Sequence, residues 1–231
     1  MCRLNGSGMT SIPNQTARRL FAPIASSYER WARILSLGQD GRWRRAMTAG
    51  LSLPPRRSIL DVAAGTGSIT RQLQGMGHKV TAVDISTEML SRHSGPDRVQ
   101  ARAEVLPFES GSFDAVTFGY LLRYVEDPVE CLTELARVVK PGGRVGMVEF
   151  GRPRGIWALP WLVYAGLLLP AAGRLIDPGW HEVGRFLRRS ISDFHKSNPD
   201  LALLWREAGL IEVESRSLSL GGGVVMWGTK P

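Results

Sequence analysis

Residues 58–67 read Ser-Ile-Leu-Asp-Val-Ala-Ala-Gly-Thr-Gly. A short apolar run that ends in an acid and passes into Gly65-Thr-Gly67 predicts a buried strand, a glycine turn and the start of a helix reaching about Gly75. The chain on either side extends the same pattern. Residues 79–84 predict a second strand ending in Asp84, and 87–93 a helix. Residues 99–103 and 113–118 predict two more strands, 128–139 a helix with Leu132, Leu135, Ala136 and Val139 on one face, and 144–150 a fifth strand. Strands alternating with helices predict an α/β fold: a doubly wound, mostly parallel sheet covered on both faces, with right-handed connections. Residues 210–220 and 224–230 add two strands joined through Gly221-Gly222-Gly223, making seven.

Upstream, residues 16–51 carry a helical pattern, with Phe21, Ile24, Ala25, Tyr28, Trp31 and Leu35 at steps of three and four. A second basic helix, 39–49, follows Gly38, and Pro54-Pro55 closes the region. Residues 1–15 read as a flexible N-terminus without the apolar core of a secretory signal. The expected organisation is therefore a loose 1–15, a basic helical cap 16–55, and a sheet domain 56–231 with an insertion at 152–197. Within that insertion, residues 156–173 form an eighteen-residue uncharged run between Arg154 and Arg174. Its length reaches the lower limit for a membrane span. Pro160, Gly166 and Pro170 interrupt it, and a span would pull apart one folded sheet. It reads as an apolar lid or an interfacial helix, or else as a broken core helix packed on the sheet.

The chain has 231 residues, 29 basic and 21 acidic, for a net charge of +8. Its 43% hydrophobic and 22% charged residues exclude wholesale disorder. Residues 1–57 hold ten arginines and two acids, while the rest hold 19 basic and 19 acidic side chains, so the whole excess sits in the N-terminal quarter of the chain. A basic cap on a neutral body points to an anionic partner; the plainer reading is a solvated helix face in an arginine-biased chain. Cys2 and Cys131 cannot build a disulfide framework or a four-thiolate zinc site, and Cys131 falls on the apolar face of a helix. The four histidines lack metal-ligand spacing, and no Ser-His-Asp or Cys-His order stands out. A reducing cytosol is the compartment this implies.

The loop after the first strand brings backbone close to a ligand and opens a helix whose free N–H groups face it. A dinucleotide fingerprint needs Gly or Ala at position 70, where Thr70 stands, which disfavours nicotinamide and flavin cofactors. Asp61 before the loop suits a cofactor with a cationic ammonium, as at the methionyl end of S-adenosylmethionine. Asp84 at the second strand end suits the two hydroxyls of a ribose. The plainer alternative is a tight turn with Asp84 capping the next helix.

With these residues in place, the sequence resembles the class I S-adenosylmethionine-dependent methyltransferases, and more narrowly the C-methyltransferases of menaquinone and ubiquinone biosynthesis. The resemblance runs from about Phe21 to Lys230. It is carried by Phe21-x-x-Ile24-Ala25-x-x-Tyr28, by Leu35-Ser-Leu-Gly38 with Trp43-Arg44-Arg45, and by Asp61 to Gly67. Asp84-Ile-Ser-x-x-Met89-Leu90, Ala103-Glu-Val-Leu-Pro-Phe108 with Phe113-Asp114, Leu135-x-Arg137-Val-Val-Lys-Pro-Gly-Gly143, Glu149-Phe150 and Gly222-Gly223-Val224 complete it. The resemblance implies a cofactor site of Asp61, Ala63, Gly65, Thr66, Gly67, Asp84, Ile85, Ala103 and Glu104, binding S-adenosyl-L-methionine, with S-adenosyl-L-homocysteine as product and no metal. The family's usual Asp at the 102 position is Arg102 here, which leaves adenine to the backbone and Ala103. Its Phe-Gly-x-Arg-Asn-Val reads Tyr120-Leu-Leu-Arg123-Tyr124-Val125, its Tyr-Asp and Asn become Tyr28-Glu29 and Ala32, and its Glu-Ser-Ile reads Arg189-Ser190-Ile191.

Carbon methylation of a hydroquinone needs a phenolate, hence a base and a cation. The candidates are His181, Tyr164 and Asp177 for proton transfer and Arg123 for the phenolate. His181 otherwise reads as a surface histidine beside Glu182, and Arg123 as an ion-pair partner of Glu126 or Asp127. The expected partners are a small-molecule or lipid quinol, an anionic membrane touched peripherally and a second copy of the chain. The expected location is the cytoplasm, at the inner face of the cell membrane. O- or N-methylation of another phenolic or lipid acceptor is the alternative. A nucleic-acid-binding module of the same fold is a third reading, and the absence of an Asn/Asp-Pro-Pro-Tyr loop after the fourth strand speaks against it.

Overall fold

β1 (Ser58–Val62) is the centre of the sheet, pairing in parallel with β2 (Lys79–Asp84) on one side and β4 (Phe113–Gly119) on the other. The computed structural model describes residues 12–93, 95 and 97–231. The sheet has seven strands in the order β3-β2-β1-β4-β5-β7-β6, with β3 (Arg98–Gln100), β5 (Val139–Phe150), β6 (Ile211–Leu218) and β7 (Gly223–Thr229). β7 runs antiparallel between β5 and β6. The central strands read as continuous apolar runs because both faces are covered; Ile59, Leu60, Val116, Phe118, Val145 and Met147 are fully buried. Strand order reverses between β1 and β4, so the carboxyl ends of these two strands open a crevice at which ligands bind in such sheets.

The helix after β2 is capped by Ser86 and not by Asp84. α4 (Ser68–Gly75) starts from Gly67, and α5 (Thr87–Ser91) from Ser86, whose hydroxyl accepts from the Met89 N–H at 3.2 Å. α6 (Pro128–Arg137) starts at Asp127, which accepts from the N–H groups of Val129 and Glu130. Several expected boundaries move. α6 ends at Arg137, and Val139 opens β5. β3 stops at Gln100, and Arg102 forms an isolated bridge with Val105 instead.

The cap is three helices: α1 (Ile12–Phe21), α2 (Tyr28–Leu35) and α3 (Gln39–Gly50). α1 stops at Phe21, two residues before Pro23. Helix begins at Ile12, within the expected loose segment, and residues 1–11 of that segment lie outside the described residues. Arg44, counted on sequence with the cap's surface charge, is buried. α3 docks on the sheet through Trp43, Met47 and Leu51, and the Trp227 indole N–H donates to the Met47 carbonyl at 2.9 Å. This docking needs Gly50, where a Cβ would fall 2.2 Å from the Trp227 ring. Gly50→Ala should therefore cost about 1–3 kcal/mol of stability, read as a lower denaturation midpoint with an unchanged slope.

The insertion is a broken helix, not a span through the sheet. A 3₁₀ turn (Gly155–Trp157) leads into α7 (Ala158–Val163), a π-helical turn (Tyr164–Leu168) and α8 (Leu169–Ile176). α9 (Pro178–Ser197) then packs back against α8, and α10 (Leu201–Glu207) leads to β6. The stretch Gly155–Ile176 is long and apolar enough to cross a membrane, yet only 11% of its most apolar window is buried. Its inner residues Ala165 and Leu169 are covered, while Ile156, Leu159, Leu167 and Leu175 are 64–89% exposed. Of the two sequence readings, the lid therefore describes it better than the core helix.

Candidate active site

Two cavities meet at the switch point. The first lies over the glycine turn and is lined by Ala63, Gly65 and Thr66, by Asp84 and Ile85, and by Ala103. Asp84 accepts from the N–H of Gly65 at 2.8 Å and of Ser86 at 2.8 Å, tying the end of β2 to the turn. Burial pushes its carboxyl up, and those N–H bonds pull against the rise. Asp61 lies beneath the turn rather than in the cavity. It accepts from the Thr70 hydroxyl at 2.6 Å and the Thr117 hydroxyl at 3.1 Å, so it fixes α4 and β4 relative to the loop. Burial pushes it up to about 6. Asp61, expected on sequence to meet a cofactor ammonium, is not among the residues that line the cavity. Glu104 also stands off the cavity wall, accepting from the Asn14 amide at 2.7 Å.

Gly67 supports the cavity without lining it. Its φ is +89°, and a Cβ there would lie 2.6 Å from the His93 ring. Gly67→Ala should weaken cofactor binding about tenfold, the left-handed backbone alone costing roughly 1–2 kcal/mol; calorimetric titration checks this. α1 and the residues after β4 complete the cavity with Asn14, Arg18, Phe21, Tyr120, Leu121 and Tyr124. Sequence reading missed these because they come from segments far from the loop.

The second cavity, about 260 Å³, shares Phe21, Tyr28 and Tyr120 with the first. Its walls are mostly apolar: Trp43 and Leu35 from the cap, Phe150 from β5, and Trp161, Tyr164 and Leu169 from the lid. Arg123 is the one cation among its lining residues and Asp40 the one acid. Arg123 pairs with Glu149 (Nε–Oε1 3.0 Å) and donates to the Ser190 hydroxyl at 2.8 Å, with both charged side chains almost wholly buried. Its partner is therefore Glu149, not Glu126 or Asp127. Burial disfavours the guanidinium charge, but Glu149 and Tyr124 more than offset this and hold its pKa above the ordinary value. Glu149 Oε2 has no hydrogen-bond partner among the described residues.

The other catalytic candidates fare differently. Tyr164 lines the cavity, but its hydroxyl donates to the Leu35 carbonyl and so ties the lid to the cap. His181 lies off the cavity with Nδ1 3.0 Å from the Pro170 carbonyl oxygen, and Glu182 pairs with Arg19 rather than with it. Asp177 caps α9, accepting from the Trp180 N–H at 3.1 Å. Three residues to which sequence reading gave no catalytic role meet at the junction of the two cavities. The Tyr120 hydroxyl donates to Asp40 Oδ1 at 2.6 Å, and Arg44 Nε reaches both Asp40 oxygens at 2.8 and 3.0 Å. Burial, then Asp40, push the Tyr120 phenol well above its ordinary range. Among the described residues no group of three or more His, Cys, Asp or Glu is placed to hold a metal ion.

The strand-end carboxylate, the glycine turn at a helix start and the apolar shelf of Ile85, Met89 and Ala103 suit the ribose, methionyl and adenine parts of S-adenosylmethionine. Solved methyltransferases share the fold. One from Thermotoga maritima aligns with a TM-score of 0.63 and 20% identity over 93% of this chain and 99% of that one. A phosphoethanolamine N-methyltransferase from Haemonchus contortus, solved with S-adenosyl-L-methionine, aligns with a TM-score of 0.57 and 15% identity over 82% of this chain and 52% of that one. In sequence, the chain is 37% identical to a demethylmenaquinone methyltransferase of Clavibacter sepedonicus over 96% of this chain and 93% of the relative. It is 34% identical to the ubiquinone/menaquinone biosynthesis C-methyltransferase UbiE of Desulfotalea psychrophila, over 92% and 89%. The model of the ubiE/COQ5 methyltransferase family matches residues 9–230. The chain belongs to that family and is an S-adenosylmethionine-dependent methyltransferase.

Proposed function

We propose that the enzyme methylates a ring carbon of a prenylated quinol of the demethylmenaquinol kind, taken from the surface of an anionic membrane. The observation that carries this reading is the second cavity: a mostly apolar chamber that shares Phe21, Tyr28 and Tyr120 with the cofactor cavity and has one buried guanidinium in its wall. A flat aromatic ring fits between Trp43, Phe150 and the lid, and an apolar tail leaves along the lid. The names of the relatives agree with such an acceptor.

When bound, S-adenosylmethionine supplies an already activated methyl group, so the protein has to place the acceptor, ionise it and keep water out. Asp84 and the 65–67 turn would hold it in the first cavity. Arg123, fixed by Glu149 and Ser190, stabilises the acceptor's developing oxyanion. Trp161, Tyr164 and Leu169 close the chamber, with Tyr164 anchored on Leu35.

The lid also supports membrane contact. Its outer face presents Ile156, Leu159, Leu162 and Leu167, and exposed Arg152, Arg154 and Arg174 flank it. An apolar face edged by arginines suits the boundary of an anionic bilayer. On this reading the enzyme works peripherally at the inner face of the cell membrane. Labelled methyl donor, purified enzyme and a lipid extract of the source cells test the reading. Label on a ring carbon of a prenylated quinol is the expected product. Label on oxygen or nitrogen of another lipid would replace the acceptor assignment while leaving the methyltransferase.

A further inference from the structure

The acceptor's hydroxyl must lose its proton, and none of the sequence candidates takes it. His181 lies off the chamber, the Tyr164 hydroxyl is spent on the Leu35 carbonyl, and Asp177 caps a helix. Tyr120 stands where the proton would leave, as one of the few residues lining both cavities. It is held there in an unusual backbone conformation. An aromatic residue at φ +58° directly after a central strand is rare and costly, and such positions cluster at active sites. Its N–H donates to the Val148 carbonyl at 2.9 Å, its ring lies 4.5 Å from that of Phe150, and the Arg44 guanidinium lies 5.1 Å above it. Its hydroxyl hydrogen is committed to Asp40, so its oxygen lone pairs are left to accept from a substrate. Tyr28 lines the same junction without a hydrogen bond to a carboxylate among the described residues.

Resting on the acceptor reading above, we propose that Tyr120 accepts the proton of the acceptor's hydroxyl and passes its own to Asp40. In this step the acceptor O–H bond breaks. Tyr120 Oη gains that hydrogen as its original one moves to Asp40 Oδ1, and the electron pair stays on the acceptor oxygen, delocalised onto the ring carbon. That carbon then takes the methyl group, and the sulfonium sulfur keeps the electrons of its broken bond. Asp40 returns its proton through Tyr120 to the oxygen as the ring carbon sheds its hydrogen to solvent, so one proton is released per turnover. Tyr120 is the catalytic residue, Asp40 the proton store behind it, and Arg44 the positioning residue that aims Oδ1 at the phenol. The other charged or titratable groups around Tyr120 are Arg44 and Tyr28, and, across the Phe150 ring, the Arg123–Glu149 pair.

Tyr120→Phe and Asp40→Asn, made in the full chain, test this with two readouts. With the quinol acceptor, Tyr120→Phe should lower kcat about a hundredfold or more and lose the wild-type acid limb of the pH profile, while the cofactor Kd stays within about twofold. With 1-naphthol as probe, whose naphtholate absorbs at longer wavelength, the bound probe should ionise about one pH unit or more higher in either variant than in wild type. An unchanged naphthol titration overturns the proposal. So does a Tyr120→Phe enzyme that keeps kcat and its pH profile, or one whose loss lies only in cofactor Kd. A wild-type enzyme inactive on the quinol instead counts against the acceptor reading, and the naphthol titration still decides the proton path.

Discussion

Replacing Leu159, Leu162, Leu167 and Leu168 together with serine is expected to release the enzyme from anionic liposomes. All four side chains are exposed, so the fold does not depend on them, and none lines the acceptor chamber. Sinking each half-covered leucine into lipid is worth about 1 kcal/mol, so the set contributes about 4 kcal/mol, roughly a thousandfold in partitioning. The same variant should turn over a short-tailed, water-soluble quinol at the wild-type rate and lose activity only on vesicle-borne acceptor. Co-sedimentation with phosphatidylglycerol vesicles and paired assays read both effects. Unchanged pelleting would contradict the lid's role at the membrane. Among the cap arginines, Arg42 and Arg45 are exposed and available to lipid, whereas Arg44 is buried against Asp40.

Arg123→Met should be the most damaging single change. It leaves the Glu149 carboxylate buried without its cation, which costs about 3–5 kcal/mol. It also removes the only cation lining the acceptor chamber among the described residues. Adding Glu149→Gln should restore most of the stability, because no uncompensated charge then remains, yet leave turnover at the background level. Denaturation midpoints and methyl-transfer rates on the single and double variants separate the two roles. Recovery of activity in the double variant would show that Arg123 serves the fold alone.

The strand and turn at 58–67 were legible because local pattern decides them. An apolar run covered on both faces, an acid and paired glycines leave few alternatives to a parallel strand feeding a helix. The two terminal strands were legible too, although their order in the sheet, with β7 between β5 and β6, follows from tertiary pairing. The acceptor side was less readable. Arg123 was found through its motif, but Glu149 lies 26 positions away and only the fold of β4 and β5 brings them together. Asp40 and Tyr120 are separated by 80 positions, and nothing in either local pattern marks the pair. Proximity in sequence misled for His181 and Asp177. Both follow the apolar run directly, but α9 turns back there, so Asp177 serves its cap and His181 faces a backbone carbonyl. The +8 charge also changed meaning, since Arg44 is buried beside Asp40 and Arg18 lies at the cofactor cavity.

The quinone pool of the source organism tests the central claim most directly. The gene is deleted in a strain with no second family member, and the prenylated quinones are resolved by mass. In that strain the methylated quinone should disappear and a species lighter by one methylene unit should accumulate. A wild-type copy should reverse this, and a copy carrying Arg123→Met and Glu149→Gln should not. An unchanged pool in the deleted strain would contradict the account.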